Sequence, residues 1–267
     1  QGLLYIAFGE KWRAEARRSI ASLRKVSDVQ VAVVSSSPWM EDPVPDLFII
    51  RKEINGWASK VLHIVDTPFD NTLYIDTDTV LVQDPSPVFG LLAHYDIGVR
   101  FYGPQLNEGP DLIFHSQCQG GVILFKSNQA TAEVFEILKE KYTLACNNSI
   151  NVKDFRGINE QRYLAHAIAV SKARPVHLGE FLNFTLFDTV LTYSPPVVIH
   201  GRLKHLEKIG AEISNNWDVK TDWQARLWLS NIRGILPRGI RRSDPVLALA
   251  IILRRLWNDV RRILFKS

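Results

Sequence analysis

Cysteine is scarce in this chain of 267 residues, and long apolar runs are missing. The two cysteines, Cys118 and Cys146, cannot supply the disulfide framework of a small secreted domain, so we expect a reducing, cytoplasmic environment. The longest uncharged apolar run extends from Pro245 to Leu253, which is too short to span a bilayer. The chain also shows no internal repeat and no low-complexity segment, so we expect an ordinary globular domain.

Charge is distributed unevenly along the chain. The stretch from Arg233 to Ser267 holds nine Lys or Arg and two Asp, a net charge of +7, which leaves −3 of the total of +4 for the first 232 residues. A mildly acidic body with a basic tail is not typical of a nucleic-acid-binding protein, so we expect no nucleic acid partner. With 46% hydrophobic residues, the length suits one α/β domain over 1–205 and a helical, basic appendage over 206–267.

Strand-like and helix-like segments alternate over the first 205 residues. An apolar strand over Leu3–Phe8 is followed by an amphipathic helix and a second strand over Val29–Val34. This order and spacing imply a right-handed crossover and a parallel sheet. Further strands are predicted at 47–50, 73–82, 96–101, 121–125 and 197–199, and further helices at 56–65, 129–142 and 159–169. A polar loop over 102–119 is long enough to act as a lid.

The segment Leu73–Val82 carries two aspartates inside a predicted apolar strand. Asp76 and Asp78 stand two residues apart, so a strand would direct both carboxylates to one face. Two like charges this close repel each other, and burial raises the cost of keeping both ionised. Mg²⁺ or Mn²⁺ removes this conflict, since both prefer carboxylate and phosphate oxygens. Because ligands bind beyond the carboxyl ends of strands in open parallel sheets, the pair predicts a metal that holds a phosphorylated ligand.

Two enzyme classes use such a pair. In haloacid dehalogenase-like phosphatases an apolar strand supplies a nucleophilic aspartate, and the segment Asp76–Val80 fits that pattern loosely. That strand normally lies near the start of the domain and needs a later acidic pair, whereas about 70 residues precede Asp76 here and no such pair follows. In nucleotide-sugar glycosyltransferases, an Asp-x-Asp motif binds the metal that bridges the donor diphosphate. The phosphatase is therefore the more distant alternative.

Four further motifs stand in the order typical of one group of glycosyltransferases. In chain order they are Lys60 sixteen residues before Asp76, the strand start Gln119-Gly120-Gly121, the pair Glu160-Gln161 at a helix start, and the ending His200-Gly201-Arg202-Leu203-Lys204. With these motifs the chain resembles retaining GT-A glycosyltransferases of the glycogenin and bacterial lipopolysaccharide galactosyltransferase type, over roughly residues 3–205. Glu160 stands where that group has aspartate.

The resemblance implies a GT-A, Rossmann-like fold and metal-dependent transfer of a sugar from a nucleotide-diphosphate donor, UDP-linked, with retention of configuration. It also implies that Asp76, Asp78 and His200 hold Mn²⁺ or Mg²⁺. The residues that would contact the donor are Ala7 and Phe8 at the nucleoside, and Lys60, Asp76, Gln119, Gly120, Gly121, Gly201 and Lys204 elsewhere. Glu160 and Gln161 would orient the sugar, while Lys204 would offset charge on the leaving diphosphate.

A binding or scaffold protein with the same fold and no catalytic activity is a second hypothesis. Such a protein has no need for three metal ligands, so Asp76, Asp78 and His200 favour an enzyme. The acceptor, whether a glycan, a lipid-linked sugar or a protein, is not indicated by any pattern in the sequence.

The basic appendage predicts a helix that docks on the inner, anionic face of a membrane. Asp244 is a suitable N-cap before Pro245, and the residues that follow combine an apolar side and Trp257 with several arginines. The alternative is a C-terminal helix that packs on the catalytic domain.

Liposome flotation distinguishes these two roles of the appendage. We expect the full chain to float with anionic but not with neutral vesicles, because each Arg near anionic lipid contributes about 1 kcal/mol. A chain that ends at Ser243 should remain folded and should not float. Equal behaviour of the two chains, or unfolding of the shorter one, would instead show that the appendage is structural.

Overall fold

A computed structural model describes residues 1–53, 58–105, 115–148, 160–185, 190–192, 195–202, 210, 226–228 and 239–241. The first part of the chain forms β1 (Gly2–Ile6), α1 (Gly9–Leu23), β2 (Gln30–Ser35), β3 (Leu47–Ile50), α2 (Ala58–His63), β4 (Asn71–Ile75), β5 (Thr79–Leu81) and a 3-10 helix (Ser86–Ala93). The second part forms β6 (Ile97–Gln105), β7 (His115–Lys126), α3 (Gln129–Asn148), α4 (Gln161–Val170), β8 (Pro175–His177), β9 (Phe184–Thr185), β10 (Val190–Thr192), β11 (Val198–His200), β12 (Arg226–Trp228) and β13 (Gly239–Arg241).

The central sheet has seven strands in the order β3-β2-β1-β4-β7-β6-β8. The strands β3, β2, β1 and β4 run parallel, and β7 is antiparallel to both of its neighbours, β4 and β6. A smaller sheet of three strands, β5-β11-β9, adjoins the carboxyl end of β4 through the turn that leads into β5. The parallel half confirms the α/β class that the alternating pattern predicts.

Helices cover both faces of the sheet around β1 and β2, and these two strands are accordingly buried and almost continuously apolar. Leu3 and Tyr5 of β1 belong to a buried cluster with α1 and the 3-10 helix on one face. Leu4 lies in a second buried cluster with α2, α3 and α4 on the opposite face. Alternate residues of one strand therefore serve two cores, and the carboxyl ends of the strands are left between the helix layers.

The two aspartates do not lie on one strand, and the prediction of a shared pleat is wrong. β4 ends at Ile75, and β5 begins only at Thr79, so Asp76 and Asp78 lie in the turn between them. The Thr79 hydroxyl donates to the Asp76 carbonyl oxygen at 2.9 Å and closes this turn. β5 then leaves the central sheet and pairs with β11. The apolar run thus contains two short strands of different sheets.

The predicted lid and appendage also differ from the structure. β6 extends to Gln105 and β7 begins at His115, so both ends of the predicted loop 102–119 are strand and only 106–114 lie outside the described residues. In the appendage, β12 and β13 form a small sheet with β10, so the prediction of a purely helical appendage is wrong at these strands.

The predicted membrane helix, 246–265, lies outside the described residues. Among the helices described, none is long and apolar enough to cross a bilayer.

Asp96 at the entrance to β6 is buried and holds the segment before β8 in place. Its carboxylate accepts hydrogen bonds from Arg174 Nε at 2.9 Å, from the Arg174 backbone N–H at 3.0 Å and from Asn128 Nδ2 at 3.0 Å. The hydrogen bonds of Arg174, opposed by burial, hold the pKa of Asp96 well below its ordinary value. The carboxylate therefore stabilises the fold in its ionised form.

We expect Asp96→Asn to lower the free energy of unfolding by about 2 kcal/mol at pH 7, because it removes charge-assisted hydrogen bonds. A depressed pKa means that this stabilisation is complete above the unfolded-state value of about 3.9 and is lost as the pH falls towards the folded-state value. Urea unfolding of both proteins between pH 7 and pH 3 should show the gap narrowing only below about pH 4. A gap that does not depend on pH would contradict this role.

Candidate functional site

The turn after β4 and the end of β11 bring three potential metal ligands together. β11 pairs antiparallel with β5 so that His200 lies opposite Thr79, directly beside the turn that carries Asp76 and Asp78. His200 Nε2 is 3.3 Å from Asp78 Oδ1 and 3.7 Å from Asp76 Oδ2. One ligand atom from each residue lies within 4.8 Å of the other two. The structure therefore brings the three predicted metal ligands together.

Asp76, Asp78 and His200 are called the metal set below. Two residues outside this set orient His200. Its Nδ1 is 3.0 Å from Asn183 Oδ1, an oxygen that can only accept, so Nδ1 carries the proton. Nε2 is thereby turned towards the two aspartates: in a protonated ring it donates to Asp78, and in a neutral ring its lone pair is available to a metal. Gly121 of β7 lies directly beneath the ring, since a Cβ on Gly121 would come within 2.5 Å of Nδ1. Gly121 thus makes room for the imidazole.

Lys60 of α2 links the metal set to Glu160. Its Nζ lies 3.2 Å from Asp76 Oδ1 and 3.0 Å from Glu160 Oε1, and it donates to the Gly120 carbonyl oxygen at 2.5 Å. Burial would lower the pKa of Lys60, but the charges and hydrogen bonds of Asp76 and Glu160 outweigh it and raise the pKa above its ordinary value. Lys60 is therefore a fixed positive charge at neutral pH. A Cβ at position 120 would come within 2.8 Å of Glu160 Oε1, so a larger residue than Gly120 would displace the Glu160 carboxylate.

A further pair, Glu15 and Arg202, extends the network on the other side of the turn. Glu15 of α1 is buried, and its Oε2 accepts a hydrogen bond from Thr77, the residue between the two aspartates, at 2.9 Å. Arg202 Nε lies 3.5 Å from Glu15 Oε1 and 3.5 Å from Asp78 Oδ2. Burial would raise the pKa of Asp78, but the hydrogen bond and charge of His200 and the charge of Arg202 lower it below its ordinary value.

The charges of the described site match a divalent cation. Four carboxylates, those of Glu15, Asp76, Asp78 and Glu160, face the two cations Lys60 and Arg202, which leaves a formal charge of −2 when His200 is neutral. Two carboxylates and an imidazole also form a set of ligands that suits Mn²⁺. The carboxylate oxygens alone would suit Mg²⁺ as well. The residues present therefore fit the predicted metal.

The remaining predicted site residues have different degrees of access. Ala7 is fully buried and Phe8 is 5% exposed, so neither presents more than a small surface to a nucleoside. Gln119 is buried and its Oε1 accepts from Arg100 at 3.2 Å. Gln161 begins α4 beside Gly120, and Lys204 lies outside the described residues.

Sequence patterns did not identify three residues of this network: Glu15, Asn183 and Arg202. Glu15 gave a weak signal, because it begins a polar stripe with Ser19 and Ser22 beside the apolar face of α1. Arg202 stands within the motif His200–Lys204, but only its contacts in the structure show that it belongs to the site. Asn183 gave no signal, since its role depends entirely on which side chain it meets.

Comparison with known proteins identifies the architecture. No protein-family model matches the chain, and no curated protein sequence matches it. Among solved structures, galactosyltransferase LgtC in complex with donor and acceptor sugar analogs is similar with a TM-score of 0.55 and 13% identity, over 84% of this chain and 99% of that one. The glycosyltransferase GlyE of Streptococcus pneumoniae TIGR4 is similar with a TM-score of 0.53 and 14% identity, over 84% of this chain and 62% of that one. The chain has the GT-A fold.

The GT-A fold confirms the architecture that the sequence resemblance implies. In this fold the Asp76–Asp78 turn follows the parallel half of the sheet, where the strands β1, β2 and β4 all end. The identities are low, so the similarity establishes the fold alone, and the chemistry depends on the residues of the site.

We expect Gly121→Ala to weaken Mn²⁺ binding by about 10- to 100-fold, because the new methyl group displaces His200 from the aspartates. Gly90→Ala is the matched control, since a Cβ on Gly90 meets nothing within 4 Å. Calorimetric titration of each folded protein with Mn²⁺ gives the affinities, and circular dichroism checks the fold. Wild-type affinity in a folded Gly121→Ala protein would mean that His200 is not a ligand.

Proposed function

We propose that the protein is a metal-dependent glycosyltransferase that moves a sugar from a nucleotide-diphosphate donor, UDP-linked, to an acceptor, with retention of configuration. The observation that carries this proposal is the convergence of Asp76, Asp78 and His200 within 4.8 Å at the carboxyl end of β4 in a GT-A fold. LgtC, which has the same fold, was solved with donor and acceptor sugar analogs.

Asp76, Asp78 and His200 would hold Mn²⁺ or Mg²⁺ against the donor diphosphate. A cation bound there supplies Lewis-acid stabilisation of the negative charge that builds on the leaving group, worth several kcal/mol. Asn183 and Gly121 keep the His200 ring in the orientation that ligation needs. The turn is held from behind by Thr77, whose hydroxyl donates to Glu15. The orientation of the His200 ring and of the turn is therefore set by contacts within the protein.

Lys60 and Glu160 would place the transferred sugar. Lys60 is held between Asp76, Glu160 and the Gly120 carbonyl, so its position is fixed relative to both the metal set and α4. Glu160 is 5% exposed and is engaged by Lys60, which favours a positioning role over a nucleophilic one. Gln161, the next residue, would contact the sugar together with Gln119, and Gly201 and Lys204 would contact the diphosphate.

Retention fits the way in which the carboxylates are used. Within the described site, Asp76 interacts with Lys60 and Tyr74, Asp78 with His200 and Arg202, and Glu160 with Lys60. An inverting enzyme needs a carboxylate free to take the acceptor proton. In a retaining reaction the departing diphosphate itself can take that proton. The acceptor would be a glycan, a lipid-linked sugar or a protein, and a basic appendage that docks on a membrane would suit a lipid-linked one.

Non-catalytic sugar-nucleotide binding is the alternative, and turnover separates it from transfer. We expect hydrolysis of a UDP-sugar, rather than of a GDP-sugar or of a CMP-sugar, which carries no diphosphate, and we expect it to be abolished by a chelator and restored by Mn²⁺. Asp78→Asn should reduce this rate at least about 100-fold, or roughly 2.7 kcal/mol, because it removes a charged ligand. Asp46→Asn is the control, because Asp46 pairs with Arg24 and accepts a hydrogen bond from the Val31 N–H at the start of β2, and it does not contact the site. Undiminished turnover in chelator would refute metal dependence, and binding without any turnover would favour the alternative.

A further inference from the structure

Arg202 lies at the metal set, and the proposed function gives it no role so far. It follows Gly201 directly after β11, and its side chain is 50% exposed. Its Nε faces two carboxylate oxygens, Asp78 Oδ2 and Glu15 Oε1, each at 3.5 Å. The two carboxylates restrain the guanidinium on one side, and its exposed half remains accessible to a ligand.

Two residues of α1 restrain the guanidinium. Glu15 is 6% exposed and uses one oxygen for Thr77 and the other for Arg202, so it fixes Arg202 relative to the Asp76–Asp78 turn. Trp12, three residues earlier on the same helix, lies against the guanidinium with the Arg202 Cζ atom 4.6 Å from the ring centre. An aromatic face on one side of a guanidinium stabilises its charge and limits its rotation.

Gly201 determines the direction in which Arg202 leaves β11. Its φ of 147° lies in a region that a residue with a Cβ rarely adopts, and its N–H donates to the Asp78 carbonyl oxygen at 2.9 Å. His200 and Arg202 consequently approach the same carboxylate from its two oxygens, with His200 Nε2 3.3 Å from Oδ1 and Arg202 Nε 3.5 Å from Oδ2. The backbone conformation at Gly201 therefore places His200, a potential metal ligand, and the Arg202 cation at the same carboxylate.

The contacts of Arg202 leave it able to bind an additional anion. Both ion pairs are longer than the 2.7–3.2 Å of a good N–H···O hydrogen bond, so they orient the guanidinium without saturating its five donors. The planar fork of a guanidinium matches the oxygens of a phosphoryl group. A cation at this position opposes binding of a bare metal ion, but it favours the anion that the metal would bring.

We propose that Arg202 is a phosphoryl-binding residue of the donor site, aimed by Glu15 and Trp12 at the diphosphate of a nucleotide-diphosphate sugar. This inference rests on the proposed function and assigns the ligand class of one of its residues. The diphosphate would then be bound from two sides, by the metal on one side and by the Arg202 guanidinium on the other. This role also distinguishes Arg202 from a residue that merely keeps Asp78 in position.

Calorimetric titrations of the full chain separate these two roles. We expect Arg202→Gln to leave the affinity for Mn²⁺ alone unchanged or slightly higher, because a positive charge next to the metal set is removed. With saturating Mn²⁺, its affinity for UDP should fall at least about tenfold, since a charge-assisted hydrogen bond to phosphate is lost. Affinity for UMP, which lacks the second phosphoryl group, should change less than about threefold.

Two further variants complete the experiment. Arg202→Lys keeps the charge and loses the fork, so its UDP affinity should lie between those of the wild type and of Arg202→Gln. Arg24→Gln is the matched control: Arg24 lies just beyond the carboxyl end of α1, where it contacts Asp46 and the Val29 carbonyl oxygen, so the variant should bind as the wild type does.

The outcomes that would overturn the inference are distinct from those that would overturn the proposed function. A parallel loss of Mn²⁺ and UDP affinity in Arg202→Gln would mean that Arg202 only holds Asp78. Unchanged UDP affinity would mean that Arg202 does not contact the diphosphate. In both cases the wild type still binds UDP with Mn²⁺, and the proposed function stands. A wild type that binds neither Mn²⁺ nor UDP would overturn both.

Discussion

Electrostatic repulsion among carboxylates at the carboxyl end of β4 is the constraint on which the site depends. Glu15, Asp76, Asp78 and Glu160 converge there, and none of them is more than partly exposed. Water cannot screen charges that are largely buried, so their repulsion has to be offset by neighbouring cations and hydrogen-bond donors. Lys60 and Arg202 offset half of the formal charge, one on each side of the turn. The remainder is the electrostatic reason that this edge of the sheet suits a divalent cation.

The fold meets this constraint with parts taken from both of its layers. Helix α1, in one layer, supplies Glu15, and α2 and α4, in the other, supply Lys60 and Glu160. The aspartates come from the turn at the carboxyl end of β4, and His200 comes from β11 of the smaller sheet. The GT-A architecture therefore affects the charge of the site, because the distance between its two helix layers determines which charged side chains can reach the turn. A change in the packing of α1 or α2 on the sheet would alter the electrostatics of the site without touching a metal ligand.

Sequence patterns predicted those features that depend on local order and missed those that depend on tertiary contact. Alternation of apolar strands and helices predicts the parallel half of the sheet, since burial on both faces leaves a clear apolar run. The same rule failed at residues 73–82, because an apolar run does not reveal that a hydroxyl at Thr79 closes a turn and sends β5 to another sheet. His200 and the aspartates were predicted from their residue types and order, as implied by a family resemblance. Asn183 could not be, because an asparagine becomes the partner of a particular histidine only when a distant strand brings them together.

The three-stranded sheet β5-β11-β9 joins parts of the chain that are more than a hundred residues apart. Its strands are only two or three residues long, so their backbone hydrogen bonds alone give it little resistance to local opening. A cation shared by Asp78 and His200 would close that long loop with a bond between side chains, in the way that a covalent crosslink restricts an unfolded chain. Metal binding and the stability of the domain would then be thermodynamically coupled, and β11 would be held most firmly when the metal is bound.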